Sequence, residues 1–242
     1  AALVATIPIA HIAGGDTTWS VFYNPLSDSF PTTTASPHWK PIGVNYSGDT
    51  SVVSGTLHLS ATHGTGDANS FLCVFFHFCP NVSQDLFYYR SDNLSRTENA
   101  FVEAKIALTS GSSSNPVAVI ALADSVKFVG LGIANGKIGF VTFNSSSLKW
   151  EWLAGGTIPM GTSSSHVYRV GKFNSTIATV YVDGVEKFSQ VNLPDNFMPS
   201  FSQSVGTQAA HLSSFFGITS QDANAAATIS YVTYAIHATP HP

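Results

Sequence analysis

An all-β fold, one antiparallel jelly-roll sandwich spanning residues 1–242, is what this sequence predicts, and three observations predict it. Apolar residues recur at every second position between Gly, Asn, Ser and Pro punctuation. No long stretch carries the capped 3.6-residue apolar stripe of a helix. Two dipeptides, Asn135-Gly136 and Asp183-Gly184, have hairpin chemistry, because both tolerate the positive φ of a two-residue loop.

The elements follow in chain order. Leu57 and Leu59 alternate with Thr56, His58 and Ser60, and Val102, Ala104, Ile106 and Leu108 alternate with Phe101, Glu103, Lys105 and Ala107. Each run has one apolar face, which is the pattern of a half-buried strand. Further strands are expected over 117–123, 126–133, 137–143, 166–170, 176–182 and 228–236. About a dozen short strands with consecutive hairpins, and no helices to cover a parallel sheet, give two antiparallel sheets packed face to face. The Ser-rich segments 110–114 and 161–165 are too short to link domains, and no fixed-period repeat points to a propeller.

Composition narrows the function classes. The chain is 44% apolar and 10% charged, against roughly 25% charged in an ordinary soluble domain. Ten basic and fourteen acidic residues give a net charge of −4, which offers no electrostatic footprint for nucleic acid or an anionic membrane. Ala1 to Ala10 is apolar but lacks a basic flank and falls short of the roughly 20 residues of a membrane span. A mature exported chain, not inserted in a membrane, is the expectation. Asn-x-Ser/Thr sequons at Asn45, Asn81, Asn93, Asn144 and Asn174 agree with a secreted glycoprotein. Cys73 and Cys79, if they share an unbroken strand, stand about 20 Å apart and cannot bond without a bend.

In chain order, Trp19, Ser27-Asp28-Ser29-Phe30, Trp39 and Gly55-Thr56-Leu57-His58-Leu59 resemble the opening of concanavalin A-like jelly rolls. His166-Val167-Tyr168-Arg169-Val170 followed by Val180-Tyr181-Val182-Asp183-Gly184 is similar to the hairpin of laminin-G-like and related lectin or glucanase domains, and 229–236 to their closing strand. The resemblance covers most of the chain and implies that fold. Its motifs are fold motifs, so they do not select a ligand. Retaining glucanases of that superfamily carry an E-x-D-x-E or E-x-D-x-x-E strand, because their two carboxyl groups must stand about 5 Å apart. Here Glu98, Glu103, Glu151 and Glu186 are the glutamates, and none has Asp two residues later. Hydrolysis of that kind is not expected.

Other constellations remain. Trp150-Glu151-Trp152 puts two indoles on one strand face, where partly exposed rings stack on sugar C–H faces. Trp39, Tyr88 and Arg90 join them as candidate carbohydrate contacts. Tyr88, Tyr89 and Arg90, with His77, also form a weak likeness to the Arg-bearing strand of jelly-roll polysaccharide lyases, whose β-elimination needs a proton-moving Tyr or His and a cation to neutralise the uronate. The Glu of that pattern is missing, and a packed strand with Phe87, Tyr89 and Ser91 inward and Tyr88 and Arg90 outward accounts for the same residues. Asp67 and Asn69 on a Gly-rich turn are candidate calcium ligands. The nine histidines lack HExxH spacing, so zinc is not expected. The sequence therefore predicts a lectin that binds glycans without cleaving them, with a homo-oligomer supplying avidity. The alternative is an extracellular polysaccharide lyase.

Overall fold

The computed structural model describes residues 26–28, 30, 39–42, 49–64, 83–90, 94–144, 146–147, 149–173, 176–195 and 213–236, and every regular element in them is a strand. The strands are β1 (Leu26–Asp28), β2 (Lys40–Ile42), β3 (Asp49–Val53), β4 (Thr56–Ala61), β5 (Asp85–Arg90), β6 (Ala100–Ser110), β7 (Ala118–Ala123) and β8 (Phe128–Ala134). They continue with β9 (Lys137–Asn144), β10 (Lys149–Pro159), β11 (His166–Phe173), β12 (Ile177–Val182), β13 (Val185–Val191), β14 (Ser214–Thr219) and β15 (Ala225–Ile236). One sheet has the order β13-β12-β11-β6-β15-β4-β3, with β1 also on β15; the other has the order β10-β9-β8-β7-β14-β5-β2. Every pairing is antiparallel. The predicted two-sheet jelly-roll sandwich is thus the observed fold.

The alternating residues of β6 do what their period dictates. Val102, Ala104, Ile106 and Leu108 enter the core between the sheets, where they meet Leu122, Leu131, Ile133 and Phe216 from the seven-stranded sheet. The strands β7, β8 and β14 are buried at every residue, because both faces of that sheet are covered. Such strands read as continuous apolar runs without alternation.

The hairpins divide by chemistry. Asp183 (φ 52°) and Gly184 (φ 77°) are both left-handed, as a type I′ turn requires, and so are Ser54 (φ 51°) and Gly55 (φ 75°) between β3 and β4. At Asn135-Gly136 only the glycine is left-handed (φ 88°). Neighbouring loops brace that turn: the Asn135 N–H donates to Ser112 O at 2.8 Å and the Gly136 N–H to Thr162 Oγ1 at 3.1 Å.

One ion pair crosses the sandwich. Lys172 on β11 sits 2.8 Å from Asp124, just after β7, and both side chains are fully buried. The Lys172 ammonium also donates to the carbonyls of Arg96 and Glu98, while Asp124 Oδ1 accepts the N–H groups of Val126 and Lys127. Buried charges persist when hydrogen bonds satisfy them this fully. Among the described residues no helix is long and apolar enough to cross a membrane.

Candidate functional site

The site grows from the face of the seven-stranded sheet that points away from the core. Registered across β5, β14, β7, β8, β9 and β10, the residues on that face include Tyr89, Phe215, Ala121, Gly130, Val141 and Trp152 in one row. The next row holds Phe87, Gly217, Val119, Gly132, Gly139 and Thr157. Neither row carries a carboxylate. β8 leaves β9 after Gly130↔Val141, while the β9–β10 ladder continues to Asn144↔Lys149. The tip of this hairpin is therefore free of β8, and Trp150 on it packs against Phe87, Phe128, Phe143 and Phe215 with centroids 5.4–6.3 Å away. Trp150 is 1% exposed. Gln221 clasps its backbone, accepting the N–H at 2.9 Å and donating to the carbonyl at 2.8 Å.

Two residues on, Trp152 shares that face but stays half-exposed. Glycine makes its bed. A Cβ on Gly132 would stand 2.9 Å from the indole, and one on Gly139 would stand 3.2 Å away. The indole N–H donates to Ser114 O at 2.7 Å, which fixes the ring in plane. Lys137 Nζ lies 5.3 Å from the ring centroid, within cation–π range.

A polar loop adjoins the ring. Ser112 Oγ accepts the N–H groups of Ser114 and Asn115 at 2.9 and 3.0 Å and donates to Asp222 Oδ2 at 2.6 Å. Asn115 Nδ2 donates to the same oxygen at 3.0 Å. Ser114 and Asp222 are exposed. Asp222 Oδ1 has no partner among the described residues and is able to accept a hydrogen bond. A held indole, a carboxylate oxygen, a side-chain amide and an ammonium thus meet at one end of the sandwich. That set can stack on one sugar face and bind its hydroxyls.

The other residues singled out in the sequence fall elsewhere. Tyr88 is buried between the sheets and stacks on Phe216 at 5.5 Å. Tyr89 is buried on the opposite face, so the two phenols do not converge. Trp39, also buried, meets Phe216 edge-on at 4.9 Å. The Arg90 guanidinium lies 5.7 Å from both the Trp39 and Tyr234 rings. The packed-strand account of β5 thus needs correction, since Tyr88 faces inward and Phe87 and Tyr89 are covered as well. Asn144 donates from its amide to Glu151 at 2.9 Å and accepts from Ser146 and Ser147 in the β9–β10 turn. His77, Asp67, Asn69, Cys73, Cys79, Asn45, Asn81, Asn93 and Asn174 lie outside the described residues. Among those described, no three His, Cys, Asp or Glu side chains group as metal ligands. His63 Nδ1 lies 2.8 Å from Ser220 O, so that nitrogen carries the proton and cannot act as base toward Ser83 Oγ at 3.0 Å.

Two polar features were not singled out from the sequence. Asp85 is 7% exposed, and burial pushes its carboxyl up to about 7, against a smaller opposing effect of its hydrogen bond with Thr219. On the outer face of the eight-stranded sheet, Arg169 pairs with Glu103 at 2.6 Å and Tyr231 donates to the same carboxylate at 3.1 Å. Burial, then the Glu103 charge and hydrogen bond, raise the Tyr231 phenol, which therefore stays neutral. Alternation places Glu103 outward; only the strand register supplies its partners.

No family model and no curated protein sequence matches the chain. Solved structures do match in fold. An endo-β-1,3-glucanase from Pyrococcus furiosus superposes with a TM-score of 0.51 at 16% identity, covering 92% of this chain and 97% of the other. A structure from work on endo-acting O-glycanases that members of the human gut microbiota express to initiate mucin breakdown gives 0.54 at 12% identity, covering 87% and 98%. The botulinum neurotoxin serotype D binding domain gives 0.50 at 12% identity, covering 90% of this chain and 48% of the other. With the strand order above, these likenesses establish the concanavalin A-like jelly roll.

Proposed function

We propose that this chain is a carbohydrate-binding protein whose site is the Trp152 indole and the Asp222–Asn115–Ser114 loop beside it. The observation that carries the reading is the half-exposed indole seated on Gly132 and Gly139, pinned by Ser114 and adjoining a carboxylate with an uncommitted oxygen. A ring already held in place loses little freedom on binding. Stacking contributes about 0.5–1.5 kcal/mol beyond burial, so one site binds weakly, and a polyvalent glycan or a homo-oligomer supplies avidity. A secreted, glycosylated setting fits the sequons, with Asn144 in an exposed turn.

The test is a glycan array followed by calorimetry on the best ligand. Trp152→Ala and Asp222→Asn each weaken binding about tenfold, which corresponds to about 1.4 kcal/mol. A parent-like affinity in both variants would overturn the assignment.

A second reading, a polysaccharide-active enzyme, has its own support. Two of the fold likenesses concern endo-acting glycanases, and Asp85 is a carboxyl held near neutrality, where proton transfer is most effective. Tyr88 and Arg90 turn toward the core and lend the lyase version no help. Release of reducing ends or unsaturated uronates by the parent, lost in Asp85→Asn, would favour this reading.

A further inference from the structure

We propose that the cleft at the open edge of the sandwich, between β10 and β13, binds a single aromatic ring carrying one polar substituent. This inference is independent of the saccharide reading. A long bulge in β10 shapes the cleft. The β9–β10 ladder runs to Val141↔Trp152 and resumes at Gly139↔Thr157, so Leu153, Ala154, Gly155 and Gly156 all stand opposite Phe140. Bulges at sheet edges re-aim backbone and side chains. Gly155 (φ 130°) and Gly156 (φ 85°) lie in backbone regions that favour glycine, and a Cβ on either would meet nothing within 4 Å. The bulge is therefore open rather than packed shut.

The terminal strands β10 and β13 of the two sheets come together here. Phe140 and Phe188 meet edge to face at 4.8 Å and 84°. With Leu153 and Ile158 they wall a cleft of about 130 Å³, with Ser189 and Gln190 also lining it. An apolar cavity of about 150 Å³ takes up benzene, so the volume suits one ring. Two phenylalanines already at right angles offer an edge and a face to a third ring. The bulge holds its amides and carbonyls out of the β9 ladder, and these, with Ser189 and Gln190, can bond a hydroxyl.

The experiment titrates 4-methylphenol into the whole chain, followed by calorimetry and by ring and methyl NMR signals. We expect saturable one-to-one binding, with Kd on the order of 0.1–1 mM for a ligand of this size, and shifts at Phe140, Phe188, Leu153 and Ile158. Ala154→Phe fills the cleft from an exposed position and weakens binding at least about tenfold. Phe188→Ala weakens it as well; should that variant fail to fold, Ala154→Phe carries the test alone. Failure to saturate by about ten times the expected Kd, parent-like affinity in a folded Ala154→Phe chain, or shifts confined to the Trp152 indole would each overturn the proposal.

Discussion

The two outward faces of the sandwich solve opposite problems. On the seven-stranded sheet the face is aromatic, and the β9–β10 hairpin folds onto it with Trp150 as the plug. On the eight-stranded sheet the corresponding face carries Glu103, Arg169 and Tyr231, all partly exposed and bonded to one another. The first face is held by packing, whereas the second sets this charged trio beside a small buried cluster of Phe101, Tyr181 and Ala235. Packing at full burial is worth several times more than an ion pair that water can reach, so the two faces should respond very differently to substitution.

The largest effect belongs to the plug. Trp150→Ala empties a site ringed by four phenylalanines and should cost about 3–5 kcal/mol in urea unfolding. A loss under about 1 kcal/mol would mean that the hairpin does not seat there. Trp152→Ala, two residues away on the same face but half-exposed, should cost far less.

The next effect separates the faces by pH. Asp85 lies at the end of the packed face, in register with Thr219. Unfolded, its carboxyl ionises near 3.8; folded, near 7. Between those values the unfolded chain has released a proton that the folded chain still holds. The contribution of this group to stability is therefore greatest below about pH 4 and declines as pH rises through 7, by about 4 kcal/mol in all. Asp85→Asn should flatten that decline and leave the variant more stable than the parent at pH 8. A parent that gains stability from pH 5 to pH 8, with Asp85→Asn following the same curve, would contradict the burial of this carboxyl.

How much of this was legible depended on whether a strand keeps a wet face. β6, β11 and β15 do, and the alternation of Val102, Ala104 and Ile106 with Glu103 and Lys105 marked the first of them. β14 is buried on both faces, so Ser214–Thr219 offered no period to read. Trp150 and Trp152 look equivalent in sequence, and alternation did place them on one face. What separates them is that β9 leaves β8 after Val141, a tertiary event that neither residue encodes. Gly155-Gly156 was the local sign of the bulge, but inside a strand such a pair reads equally as a turn. Asp85 gave no sign, because its burial comes from cross-strand neighbours more than a hundred positions away. Ser114 reaches the Trp152 indole, and Asn115 reaches Asp222, for the same reason: loops remote in sequence come together at one end of the sheet.

The smallest effect tests the charged face. Glu103→Gln removes the charge that Arg169 and Tyr231 share while keeping the shape of the side chain. With Arg169 and Glu103 side chains 28% and 14% exposed, solvent screens the pair, and the loss should be about 1 kcal/mol. It should shrink further in 1 M salt, where the screening length falls to about 3 Å. The Tyr231 phenol should titrate at lower pH in the variant, because Glu103 ranks next to burial in holding it up. A loss as large as that of Trp150→Ala, insensitive to salt, would show that the outer face of the eight-stranded sheet is packed like its counterpart, and the contrast between the two faces would collapse.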